Sequence, residues 1–158
     1  MSTSQFSIFT ELKGRFPSVT SLTDGGFIVT FGINDNDTIY GQRYDASGRK
    51  DGDEFQINTS TNGDQSLPSA TGLIDGGFVV TWRYQPQDGD NYDVYGRLYD
   101  NSGNAVDTEF RINTTVDGRQ DDPAVTSVTD GGFIITWHGE DTRTEAASGF
   151  SVYGQLYD

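Results

Sequence analysis

Asp75-Gly76-Gly77-Phe78-Val79-Val80-Thr81-Trp82 is the stretch that decides the architecture, because it occurs three times: before it as Asp24-Gly25-Gly26-Phe27-Ile28-Val29-Thr30-Phe31 and after it as Asp130-Gly131-Gly132-Phe133-Ile134-Ile135-Thr136-Trp137. A second phrase keeps step with it, Ile39-Tyr40-Gly41-Gln42-Arg43-Tyr44-Asp45, Val94-Tyr95-Gly96-Arg97-Leu98-Tyr99-Asp100 and Val152-Tyr153-Gly154-Gln155-Leu156-Tyr157-Asp158. Two anchors in register define a repeat of roughly 50 residues, a period found in solenoids, propellers and threefold β folds. The units run approximately over residues 1–52, 53–107 and 108–158 of one all-β domain.

The middle copy shows the elements. Phe55 and Ile57 alternate with Glu54, Gln56 and Asn58, a strand with one buried face. A polar stretch from Thr59 to Leu67 leads to Pro68–Leu73, a short strand of small residues. Ile74-Asp75-Gly76-Gly77 reads as a hairpin turn in which an Asp-Gly pair supplies two positive φ angles. In the third strand, Phe78, Val80 and Trp82 share one face while Val79 and Thr81 share the other, so the strand belongs mid-sheet with both faces covered. The fourth strand, Asp93 to Tyr99, carries Gly96 at its centre. A glycine there implies a large neighbour lying over it, and the strand-three aromatic is the expected one.

Four antiparallel strands joined by tight turns, then one longer crossing, describe a β-propeller blade. The Pro68-Ser69-Ala70 strand would be innermost and the Phe-x-Ile strand outermost. The alternative is a closed threefold monomer of the β-trefoil or β-prism kind. Three blades are too few to close a ring, so the propeller reading calls for a homo-oligomer, a dimer forming a six-bladed ring. Gln5-Phe6-Ser7-Ile8 has the pattern of an outer strand, and Asp158 follows directly on strand four, so each N-terminal segment would complete the partner's last blade.

Composition narrows function by exclusion. The chain has 158 residues, 20 of them Gly, and 13% are aromatic, in keeping with a turn-rich β protein. Its formal net charge of −14 repels phosphate backbones and anionic lipid, which leaves no place for nucleic acid. No stretch approaches a membrane span, so membrane insertion is not expected. Without cysteine, thiolate chemistry is excluded, and no signal-peptide pattern opens the chain. No Gly-x-Ser-x-Gly elbow or His-Glu-x-x-His pair is present. His138, the sole histidine, lacks a counterpart in the other copies, and the reading is non-enzymatic with no catalytic residue.

The two phrases, with the acidic Gly-rich loop between them and the Glu-Phe-x-Ile-Asn segment after them, resemble repeats of large bacterial secreted surface proteins of the RTX and adhesin type. Copies two and three match best; copy one has Phe31 where the others have Trp. The resemblance implies an extracellular or cell-surface setting, reached by a signal-independent route or as part of a larger protein.

Carbohydrate sites combine an aromatic face for the apolar side of a pyranose with planar polar groups for paired hydroxyls. The positions that end strand three supply both, and they are where the copies diverge: Phe31, then Trp82 with Arg83 and Tyr84, then Trp137 with His138. Tyr95 and Tyr153 are further candidates. A multivalent, lectin-like module for a glycan or polysaccharide follows, with several weak sites adding avidity. The competing reading makes the tryptophans core residues and the protein a structural, self-assembling scaffold. No cofactor is required, but Asn34-Asp35-Asn36-Asp37, Asp88 to Asp93 and Glu140-Asp141 are oxygen-rich enough for calcium. Asp24, Asp75 and Asp130 read as turn formers.

Overall fold

Each copy of the Asp-Gly-Gly phrase closes one hairpin of a separate antiparallel sheet. The computed structural model describes residues 5, 8, 14–33, 38–87, 89, 91–116, 118–140 and 149–158. Sheet 1 contains β1 (Gly14–Ser21), β2 (Phe27–Ile33), β3 (Thr38–Tyr44) and β4 (Phe55–Gln56), hydrogen-bonded in that order. Sheet 2 repeats this with β5 (Asp64–Gly72), β6 (Phe78–Gln85), β7 (Asp93–Tyr99) and β8 (Phe110–Arg111). Sheet 3 has β9 (Gln120–Ser127), β10 (Phe133–Glu140) and β11 (Phe150–Tyr157), with no fourth strand among the described residues. The protein is therefore all-β, built of antiparallel sheets of three or four strands.

The turn differs in detail from the sequence expectation. Only one of its residues has positive φ, Gly25 at 86°, Gly76 at 95° and Gly131 at 105°, while the aspartates do not. The Gly25 N–H donates to Leu22 O and the Leu22 N–H to Gly26 O, giving a longer loop with a left-handed glycine at its end. Asp24 and Asp75 act through their side chains, which accept from the N–H groups of Gly26 and Gly77 at 2.8 and 2.9 Å.

The first strand of each sheet is also longer than expected. β5 begins at Asp64, inside the stretch read as a loop, and is interrupted by a register shift between Ser66 and Ser69. Phe16, Leu67 and Asp122 stand at the equivalent irregularity in the three sheets, with φ of 52°, 54° and 51°, each directly before a proline. A bulge here takes the proline, which has no N–H, out of the ladder.

These first strands lie side by side: β5 packs against both β1 and β9, whereas no comparable packing joins β1 to β9 among the described residues. Two junctions result. Between sheets 1 and 2, Ile28, Ile39 and Ile57 meet Phe78, Val80, Trp82 and Tyr99. Between sheets 2 and 3, Val79, Val94 and Ile112 meet Phe133, Ile135 and Trp137. A third cluster, Val29, Phe31, Ile33 and Tyr44, lies on the opposite face of sheet 1 and includes Ile8.

Gly96 is covered, but by a different residue from the one anticipated. A Cβ there would come within 3.1 Å of the Phe110 ring and 3.2 Å of Ile112. Trp82 instead faces Tyr95 across the β6–β7 ladder, their rings stacked at 6.5 Å, and Thr81 is the residue opposite Gly96. The glycine makes room for the outer strand, as Gly41 does beneath Phe55 and Ile57.

Candidate functional site

Alternation along β6 and β10 turns Trp82 and Trp137 to the face that meets the preceding sheet, and along β2 it turns Phe31 to the corresponding face of sheet 1, in the cluster with Val29, Ile33 and Ile8. Phe31, Trp82 and Trp137 are consequently buried, with Trp82 wholly inaccessible. This corrects their reading as ligand platforms: they are core residues. Each indole is also anchored, Trp82 Nε1 donating to Gln65 Oε1 at 2.7 Å and Trp137 Nε1 to Gln120 Oε1 at 2.9 Å. Gln65 and Gln120 precede their tryptophans by 17 residues, and the matching pair in copy one is Gly14 and Phe31, neither able to make the bond. That covariation between copies is a sequence signal for a core role.

Tyr153 stacks on Trp137 at 5.9 Å and joins the same core. Tyr95 and Tyr84 are half-buried, meet edge to face at 5.4 Å, and line a small recess of about 120 Å³ with Ser60, Gln65 and Glu109. Burial, helped by the nearby Asp93 charge, raises the Tyr95 phenol above its ordinary range. His138 lies on the other face of sheet 3, its ring edge-on to Phe150 at 4.7 Å and its Nδ1 3.4 Å from Asp122 Oδ2.

Arg83 is the sequence candidate that a cleft retains. Its Nη2 donates to Ser66 Oγ at 2.7 Å and lies 3.4 Å from Asp64 Oδ2, while Nη1 is 3.4 Å from Asp121 Oδ1. Its guanidinium lies 4.5 Å from the ring centre of Tyr92, which also receives Arg119 at 4.4 Å. Arg119 shares Asp121 at 3.2 Å. At this end of the junction between sheets 2 and 3, Arg83, Asp121, Arg119 and Tyr92 form a connected polar group.

The same place between sheets 1 and 2 is open. Register equates Gly32 with Arg83, since Gly32 pairs with Arg15 as Arg83 pairs with Ser66. A glycine fills none of the space, and a cleft of about 280 Å³ remains, lined by Arg15, Phe16, Gly32, Ile33, Asp64, Gln65, Ser66 and Arg83. That is near the lower end of small-molecule sites, ~300 Å³. Several equivalent sites were expected from the repeat; among the described residues this place is open between sheets 1 and 2 and filled between sheets 2 and 3. Phe16, Asp64, Gln65 and Ser66 were missed in the sequence because the bulge that turns them toward the cleft lies in a stretch read as loop.

Among the described residues no group of three or more His, Asp or Glu side chains is placed to hold a metal. The calcium candidates Asn34 to Asp37, Asp88, Asp90 and Asp141 lie outside the described residues.

No protein-family model matches the chain, and no curated protein is significantly similar to it. Solved structures are. An endo-arabinase from Bacteroides thetaiotaomicron superposes with a TM-score of 0.61 at 16% identity, over 92% of this chain and 57% of that one. An endo-1,4-beta-xylanase from the same organism gives 0.57 at 15%, over 98% and 63%. A fucose lectin from Kordia zhangzhouensis, solved with methyl-fucoside, gives 0.52 at 10%, over 89% of this chain and 95% of that one. The likeness is one of fold. The chain spans less than two thirds of either hydrolase and nearly the whole lectin chain.

Proposed function

We propose that the chain is a carbohydrate-binding module whose three sheets are blades of a β-propeller, with ligand taken in the cleft between the first two. The cleft itself carries the reading. It places an exposed aromatic edge, Phe16, beside the carboxylate of Asp64 and the guanidinium of Arg83, with the hydroxyl of Ser66 and the amide of Gln65 alongside, and paired sugar hydroxyls need such planar donors and acceptors. Carbohydrate-active proteins among the fold neighbours support it. The side-by-side inner strands, with no comparable β1–β9 packing among the described residues, favour blades over a closed threefold monomer. Binding rather than hydrolysis is the reading we favour: Asp64 is the one carboxylate among the described residues that line the cleft, and acid–base glycoside cleavage uses two. The resemblance to secreted surface repeats supports a setting outside the cell.

Gly32→Arg tests the assignment. A Cβ at Gly32 meets only ordinary contacts at 3.7–3.8 Å, so the variant should fold, and its guanidinium should fill the cleft as Arg83 fills the second junction. On a glycan array, with methyl-fucoside as the first soluble competitor, the wild-type chain is expected to bind and G32R to lose at least tenfold in affinity with an unchanged melting midpoint. Folded wild-type protein that retains no glycan sinks the proposal.

A further inference from the structure

The faces that sheets 1 and 2 present to the following sheet are buried, while the same face of sheet 3 is bare. Ile39 and Val94 are fully buried, but their counterpart Val152 is 81% exposed. Ile28 and Val79 are fully buried, but Ile134 is half-buried. Leu156 and Phe150 add apolar surface, 60% and 58% exposed. The outer edge of β11 is unpaired among the described residues, where β3 and β7 carry β4 and β8. Gly154 accordingly has no ring over it: an added Cβ would meet only Thr136 and Ile135 at 3.6 and 3.7 Å. An apolar face beside an open strand edge is an association surface.

The chain itself shows what fits there. Twice, this face is covered by the aromatic face of the next sheet, through Phe78, Val80, Trp82 and Tyr99 or through Phe133, Ile135 and Trp137. Sheet 1 has the same set, Phe27, Val29, Phe31 and Tyr44, and no sheet precedes it in the described chain. On that face sits Ile8, in one cluster with Val29, Phe31 and Tyr44 as Ile57 is with Val80, Trp82 and Tyr99. Ile57 belongs to the outer-strand segment of the sheet before Trp82, its N–H donating to Ile39 O at 2.8 Å. Ile8 thus holds the place of an outer-strand residue from a sheet before the first, and β11 is the strand that has no outer partner among the described residues.

We infer that sheet 3 docks on sheet 1 of a second copy, with Ile8 of that copy set beside Val152. Two such contacts are head to tail and equivalent, so a pair of chains closes into a ring of six sheets. Neither the cleft nor any ligand enters this inference.

Native mass tests it, measured at about 0.15 M salt so that repulsion between two −14 chains is screened. The expected species has twice the chain mass of 17.3 kDa. Val152→Glu should raise the dissociation constant at least tenfold, whereas Val106→Glu, at an exposed turn away from this face, should not change it. The chain has no cysteine of its own, so the double variant Ile8→Cys/Val152→Cys should give a disulfide-linked pair, and Val152→Cys alone should give none. A single-chain mass at ~100 µM, a dimer indifferent to V152E, growth beyond two chains, or ready V152C–V152C linkage would each overturn the inference.

Discussion

Sheets 2 and 3 share the same two sequence phrases in two environments. Asp75–Trp82 and Asp130–Trp137 form the same turn and the same strand; Phe78–Tyr99 and Phe133–Tyr157 stack at 4.7 and 4.8 Å; Trp82 and Trp137 each donate to an equivalent glutamine, Gln65 or Gln120. Yet Val94 is inaccessible and Val152 is bare. Strand formation is local, whereas burial depends on whether another sheet follows. One repeat can thus be read as core or as interface without a change in its pattern.

The largest test of that contrast is a charge at the two valines. Val94→Asp should cost more than about 4 kcal/mol, because a carboxylate would replace a wholly enclosed side chain. Val152→Asp should shift the stability of the dilute single chain by less than about 0.5 kcal/mol. Urea titrations of both measure the difference, and equal losses would mean that sheet 3 is covered in the monomer. Next come the strand-centre glycines. Gly96→Ala pushes a methyl against Phe110 and Ile112 and should cost about 1–3 kcal/mol, while Gly154→Ala, with only ordinary contacts, should be neutral when dilute.

The smallest effect concerns the paired tyrosines. Burial pushes Tyr99 up to about 12, and burial also raises Tyr157. Because the folded value lies above the ordinary 10, the neutral phenol is favoured: its contribution is whole below pH 10 and is lost as pH rises from 10 toward 12. Tyr99→Phe should cost about 1 kcal/mol at pH 7, since Ile57 O keeps its second donor, Arg97 Nη1, at 2.9 Å. It should also weaken the alkaline loss of stability, and Tyr157→Phe should change both less. Melting midpoints from pH 7 to 12 decide this.

Much of the architecture was readable because it is local chemistry. Alternation along Phe78–Tyr84 placed both faces, and Gly96 announced a close neighbour. The neighbour's identity was not readable, since Phe110 arrives from the next repeat. The Asn58 and Asn113 side chains, which accept from the N–H groups of Ile39 and Val94 at 2.7 Å, also escaped notice. They clasp the outer segment to β3 and β7, a role visible only once that segment is seen to pair backward. For the candidate site, Arg83 stood out as a point of divergence between copies, but that Gly32 keeps a cleft open depends on what β5 of the neighbouring sheet brings to the same place.

The amino-acid sequence by itself determined the repeat, the strand faces and the hairpin turns, because φ preference, side-chain period and glycine clearance act within a few residues. The tertiary structure decided which aromatics are core, which junction holds a cleft and which sheet face is left bare. Those outcomes depend on what the neighbouring sheet brings to the same place: a guanidinium or a glycine, a following sheet or none.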